Sequence, residues 1–190
     1  MAPLIFASAA LSISAWSAGA TAQGIPNFHQ VNDRIYRGAQ PSAAGWESLA
    51  KLGVKTVIDL RAESEHSSKA EKLAVEAAGM RYVSVPFSDI WAPSNKQVSK
   101  VLNLVDDSAG PVFVHCRRGA DRTGTVIACY RIAHDGWSNR RALQEAVAYG
   151  MSWMEIGMQR YVLAFHPVGA PPAPPAPPAP PAPPQIGKLN

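Results

Sequence analysis

The sequence has little cysteine, little charge and no apolar run long enough to cross a bilayer. Its two cysteines, Cys116 and Cys129, exclude a disulfide scaffold and a multi-cysteine zinc site. Charged residues make up 17% of the 190 positions and apolar ones 47%, which excludes a polyampholyte too polar to fold. The excess of base over acid is only +4, and the Lys and Arg residues are scattered, so nothing points to a nucleic-acid partner. His29, His66, His134 and His166 show no ligand spacing, and neither a metal nor another cofactor is expected. Residues 1–22 carry no charged side chain at all. Their apolar stretch, Leu4 to Trp16, is too short to span a membrane and runs into Ala20-Thr21-Ala22, an A-x-A pattern before Gln23. They read as a secretory signal peptide. The expectation is a periplasmic or secreted protein with no stable membrane span in its mature form.

The other end is equally distinct. Residues 171–184 read PPAPPAPPAPPAPP, a polyproline II tract that buries no core. At a rise of ~3.1 Å per residue it reaches roughly 45 Å. Residues 169–190 are therefore read as a disordered Pro/Ala-rich tail, inert in the preferred reading and a ligand for a proline-binding partner in the other. The domain proper is residues 27–168.

Within it, strand and helix patterns alternate. Strands are expected near 34–37, 54–60, 81–85 and 112–115, where β-branched residues cluster between turn signals. Helices are expected from Ser42 to Leu52, from Ser68 to Ala78, over 95–106, and then over 123–134, 138–149 and 152–165. The alternation predicts an α/β domain, a mainly parallel central sheet of about four or five strands flanked by helices. In such sheets ligands gather beyond the carboxyl ends of the strands, here the loops after Val85 and His115.

Residues 112–124, V-F-V-H-C-R-R-G-A-D-R-T-G, carry the chemistry. A buried strand delivers Cys116 to a short loop, and Arg122 follows just as a helix begins. Loop amides and a helix N-terminus converge on an anion, and the Arg122 fork grips two of its oxygens. The same field favours thiolate over thiol, and a thiolate there can attack phosphorus. Gly119 admits backbone angles closed to other residues. The Thr123 hydroxyl is within sequence reach of the sulfur and is expected to bond it. Arg117, Arg118, Gly119, Ala120 and Asp121 complete the substrate loop, the two arginines serving equally well as a solvated rim.

H-C-R-R-G-A-D-R-T-G resembles the H-C-x-x-G-x-x-R-[ST]-G signature of the cysteine-based protein tyrosine phosphatases. R-I-Y-R-G-A-Q-P-S-A-A-G and L-G-V-K-T-V-I-D-L-R resemble secreted bacterial members of the dual-specificity branch. The resemblance implies that fold, a phosphocysteine intermediate on Cys116, phosphate binding by Arg122, no metal, and an aspartate on a separate loop as general acid. Asp89, in S-V-P-F-S-D-I-W after the third expected strand, fits that place, whereas Asp121 lies inside the phosphate loop. The implied substrates are phosphotyrosine and further phosphomonoesters of serine or threonine, in a phosphorylated protein or a small phosphomonoester. Relatives that prefer phosphoinositides often carry lysine where this chain has Ala120, while Asp121 is kept. An inositol phosphate or phosphoinositide phosphatase thus stays open, as does a non-catalytic phosphate-binding module; a rhodanese-type sulfurtransferase leaves Asp89 and Arg122-Thr123 without a role. His115 is expected to support the loop by hydrogen bonding and Asp59 to be structural. Cys129, Trp91 and Trp153 are read as packing residues, and Phe87 and Ile90 as anchors of the acid loop.

Overall fold

The computed structural model describes residues 22–167. The signal-peptide reading, except for Ala22, and the proline-rich tail lie outside the described residues. A hairpin opens the domain: β1 (His29–Asn32) runs antiparallel to β2 (Ile35–Gly38). Then α1 (Ala43–Lys51), β3 (Thr56–Asp59), a 3-10 turn at Glu63–Glu65, α2 (Ser68–Ala77) and β4 (Arg81–Ser84) follow. The chain continues through α3 (Asn95–Asp106), β5 (Val112–His115), α4 (Asp121–His134), α5 (Asn139–Ala148) and α6 (Ile156–Ala164). The five strands stand in the order β1-β2-β5-β3-β4, and every pairing except β1 with β2 is parallel.

β2, β3 and β5 are buried along their whole length, as strands covered on both faces must be. The period of two sorts their side chains. Val112, Val114 and Cys116 join Ile35 and Ile58 against α3 and α4, through Val98, Val101, Val126 and Ile127. Phe113 points the other way with Tyr36 and Val57, toward Trp46 and Leu49 of α1 and Val75 of α2. Alanines make a second, tight layer behind α4: Ala128 meets Ala142 and Ala146 of α5 and Val162 of α6. Helix starts are fixed locally. Ser94 Oγ accepts from Gln97 N at 3.3 Å while Ser94 N donates to Gln97 Oε1 at 2.9 Å. Ser67 and Ser138 cap α2 and α5, but Ser42 stands at the N-cap of α1 without a side-chain bond.

Three expectations change. β1 was not expected; its residues HQVN become a strand only by pairing with β2. α6 starts at Ile156, because Ser152 is held in a turn against the phosphate loop and cannot open the helix. Trp91 and Trp153 do not pack: they are 73% and 80% exposed, as is Ile90 at 67%, while Phe87 alone anchors the acid loop at 1%. Cys129 is buried, as a core residue should be, and burial pushes its thiol pKa up. No helix among the described residues is long and apolar enough to cross a membrane.

Candidate active site

β5, central in the sheet, ends at His115 and delivers Cys116 into the turn before α4. The turn is shaped by what surrounds it. The carbonyls of Arg117, Arg118 and Gly119 all accept from outside the loop: from Gln40 N at 3.4 Å, Asn27 Nδ2 at 3.3 Å and Arg37 Nη2 at 2.8 Å. Asp121 Oδ1 accepts from Ser152 N at 2.8 Å. With the carbonyls drawn outward, the N–H groups of residues 117–120 find no acceptor among the described residues. They stand beside the N-terminus of α4, an arrangement that suits an anion. Gly119 has a φ of +68°, and it sits against Gly38 at the end of β2.

A cavity of about 110 Å³ opens on this loop. Cys116, Arg122 and Asp121 line it together with the exposed side chains of Arg117 and Arg118. Asp89 reaches the same cavity from the loop after β4, two strands away. Gly119 and Ala120 form the buried floor of the turn. Thr123 is fully buried, and its Oγ1 has no hydrogen-bond partner, so the expected bond to the sulfur is not formed; the residue lies in the first turn of α4 with its hydroxyl uncommitted.

Two carboxylates of the cavity were not anticipated. Glu65, in the 3-10 turn after β3, accepts from both ends of the Arg122 guanidinium, with Arg122 Nη2 at 2.9 Å from Oε1. That pair holds the Glu65 carboxyl below the usual range. Burial works against the Arg122 charge, but the Glu65 pair outweighs it and raises its pKa. Glu155, just before α6, has its pKa raised by burial and by the Asp121 charge. The E-S-E run soon after a strand end on the carboxyl edge was the available signal for Glu65.

A third unforeseen residue, a cation, is buried under the loop. Arg37 of β2 is 1% exposed, and only one of its nitrogens is bonded, to Gly119 O; Nε and Nη1 are unpartnered. Burial lowers its pKa to about 10 although the charges of Glu145 and Cys116 pull it back up. On the far side of the loop a buried ionic cluster surrounds His115. Asp59 accepts from Arg61 Nε and Nη2, both at 3.0 Å, and from Tyr82 OH at 2.9 Å, while Arg61 also donates to Glu71. His115 Nε2 lies 3.0 Å from Glu71 Oε1. Burial lowers the His115 pKa to about 4 despite the Asp59 charge. Ligand atoms of Asp59, Glu71 and His115 stand within 4.8 Å of one another. The Arg61 guanidinium already supplies the positive charge between both carboxylates, so this donor set does not fit a metal.

Residues 13–162 match the family described as PTP-NADK, DSP-PTPase phosphatase fused to NAD+ kinase. Over 121 residues the chain is 32% identical to the dual specificity protein phosphatase TpbA of Pseudomonas aeruginosa, covering 63% of this chain and 52% of that protein. The chain thus spans about half the length of that relative. A crystal structure of a P. aeruginosa TpbA variant in complex with pTyr superposes with a TM-score of 0.63 at 27% identity, covering 73% of this chain and 83% of that one. An Arabidopsis thaliana protein named inositol diphosphatase is 28% identical over 136 residues, 68% of this chain and 65% of that protein.

Proposed function

The chain belongs to the DSP-PTPase family of phosphatases, and on that footing we propose that it hydrolyses phosphotyrosine, with phosphoserine and phosphothreonine as further substrates, through a phosphocysteine intermediate. One observation carries the reading: Cys116, Arg122 and Asp89 open on one cavity above a loop whose Arg117, Arg118 and Gly119 carbonyls are bonded outside it. The dianion sits on the loop N–H groups and the Arg122 fork. Cys116 Sγ attacks phosphorus as the P–O bond to the leaving group breaks, and Asp89 gives that oxygen its proton. Asp89, now ionised, takes a proton from the water that breaks the S–P bond, which frees phosphate and restores the thiolate. No step calls for a metal. Asp121 Oδ1 is committed to Ser152 N, which favours Asp89 over Asp121 as the acid.

The phosphotyrosine complex of the TpbA structure supports the substrate class. The inositol diphosphatase relative favours a second reading, a phosphatase for inositol phosphates. Against it, four carboxylates face three guanidiniums around the cavity, a poor setting for a polyanion. Export by residues 1–22 to a periplasmic or secreted location rests on their uncharged, apolar composition and the A-x-A pattern. A proline-binding partner for 171–184 rests on composition alone.

The test is hydrolysis of an aryl phosphate that vanadate blocks and EDTA does not. Cys116→Ser should abolish it yet keep phosphate binding. Full activity in Cys116→Ser overturns the mechanism, and phosphate binding without turnover by the wild type makes the chain a binding module.

A further inference from the structure

Large apolar side chains stand in the open around the cavity mouth. Ile90, Trp91, Trp153, Met154 and Ile156 are 67%, 73%, 80%, 68% and 54% exposed. They come from two segments that meet there. Ile90 and Trp91 directly follow Asp89; Trp153, Met154 and Ile156 bracket Glu155; and both carboxylates line the one cavity. The segments touch, since a Cβ on Gly157 would lie 3.6 Å from Ala92 N.

Neither segment is loose. Ser88 Oγ accepts from Ile90 N at 3.1 Å and from Trp91 N at 3.0 Å. Ser152 is pinned by its N–H to Asp121 at 2.8 Å, and its carbonyl accepts from Gln159 Nε2 at 2.9 Å. The indoles are therefore presented outward by braced turns, and neither stacks on another ring among the described residues. An indole left in water forgoes a large hydrophobic gain, and exposed apolar side chains grouped with a polar pocket mark a binding surface.

We propose that this rim docks the residues on either side of the phosphorylated side chain of a protein substrate and selects apolar neighbours over polar ones. This rests on the phosphatase reading above and adds the substrate's sequence class to it. The occupant follows from continuity with the cavity. A phosphorylated chain that enters it passes Asp89 and Glu155, whose sequence neighbours are Trp91 and the Trp153–Met154 pair. Polar flanks would leave the exposed indoles and Met154 uncovered and forgo that apolar contact. A short apolar peptide stretch meets no such penalty.

The experiment compares kcat/KM of the full chain on two phosphotyrosine peptides, one with leucines and one with uncharged serines flanking the phosphorylated residue. Wild type should favour the leucine peptide by about tenfold, the scale of apolar discrimination, and mainly through KM. In Trp91→Ala/Trp153→Ala the ratio should fall to within about twofold of one. Because the readout is a ratio within each protein, general damage to the fold cancels. An unchanged ratio in the double variant, or no preference in wild type, overturns the proposal while leaving the phosphatase reading intact. Sedimentation of wild type, but not the double variant, with phosphatidylcholine vesicles overturns it in favour of a bilayer. Absence of turnover on either peptide takes down the phosphatase reading and this proposal together.

Discussion

Replacing Gly119 by alanine should damage the site out of proportion to its size. Gly119 has a φ of +68°, and a Cβ there would lie 2.3 Å from the Gly38 carbonyl carbon and 2.5 Å from both Ala39 N and Gly38 O. All three are backbone atoms of the chain leaving β2, so no side chain can swing aside. Ordinary carbon contacts begin near ~3.5 Å, which asks the loop to move by roughly 1 Å. It cannot do so freely, because Arg37 Nη2 donates to the Gly119 carbonyl at 2.8 Å from a buried guanidinium. The left-handed backbone costs about 1–2 kcal/mol and the overlap about 1–3 kcal/mol more. A total loss of about 2–5 kcal/mol leaves a folded protein. A catalytic group misplaced by about 1 Å loses on the order of 100-fold in rate. Gly136 is the internal control: its φ is +66°, yet a Cβ there meets nothing within 4 Å. Gly136→Ala should lose only about 1–2 kcal/mol and keep its turnover. Urea unfolding and aryl phosphate hydrolysis on both variants separate backbone strain from collision. If Gly119→Ala were as stable and as active as Gly136→Ala, the contact with β2 would not set the loop.

Two further outcomes are expected. Asp89→Asn should slow hydrolysis of an ester with a poor leaving group by ~10²–10⁴-fold and a nitrophenyl ester by much less; equal rates for variant and wild type on the poor leaving group would remove Asp89 from the acid's role. Stability should fall in mild acid. The His115 pKa of about 4 in the folded protein lies below the ordinary 6.5, so the unfolded chain takes up the proton first. The stabilisation is complete above about pH 6.5 and fades as pH drops toward 4, on the order of 3 kcal/mol in all. Asp59 and Glu65, whose pKa values are also lowered, add to the loss at still lower pH. A urea midpoint at pH 4.5 equal to that at pH 7 would contradict a neutral, buried His115.

What could be read from the chain beforehand was what is local. Val112–His115 is a run of strand formers between a Gly-Pro turn and the loop, and Ser94 with Gln97 spells out the start of α3. The residues that deliver Cys116 and Arg122 are consecutive, so their spacing sufficed. What could not be read depends on partners far along the chain. Arg122 and Glu65 are 57 residues apart, and Arg37 and Gly119 are 82 apart; no periodicity announces such pairs. Trp91 and Trp153 look like core by residue type, because hydrophobicity does not reveal that both segments end at the mouth of a polar cavity. β1, with a single β-branched residue, has no strand signal apart from its neighbour.

The strand order explains why those distant partners are the ones that matter. With β5 between β2 and β3, each neighbour ends beside the phosphate loop and contributes a charge from its own side. From β2 comes Arg37, sealed under Gly119, with no route to water and nothing to exchange its bond for. From the chain after β3 comes Glu65, at the cavity wall, where it occupies the Arg122 guanidinium. A buried guanidinium with a single hydrogen bond destabilises a fold unless an anion lies close by. Cys116 and Glu145 are the groups whose negative charge favours the charged form of Arg37. The two cations therefore differ in kind. Arg37 is a fixed charge that no substrate can reach, and Arg122 is a largely buried fork at the cavity wall whose carboxylate partner sits where an incoming phosphate would compete for it.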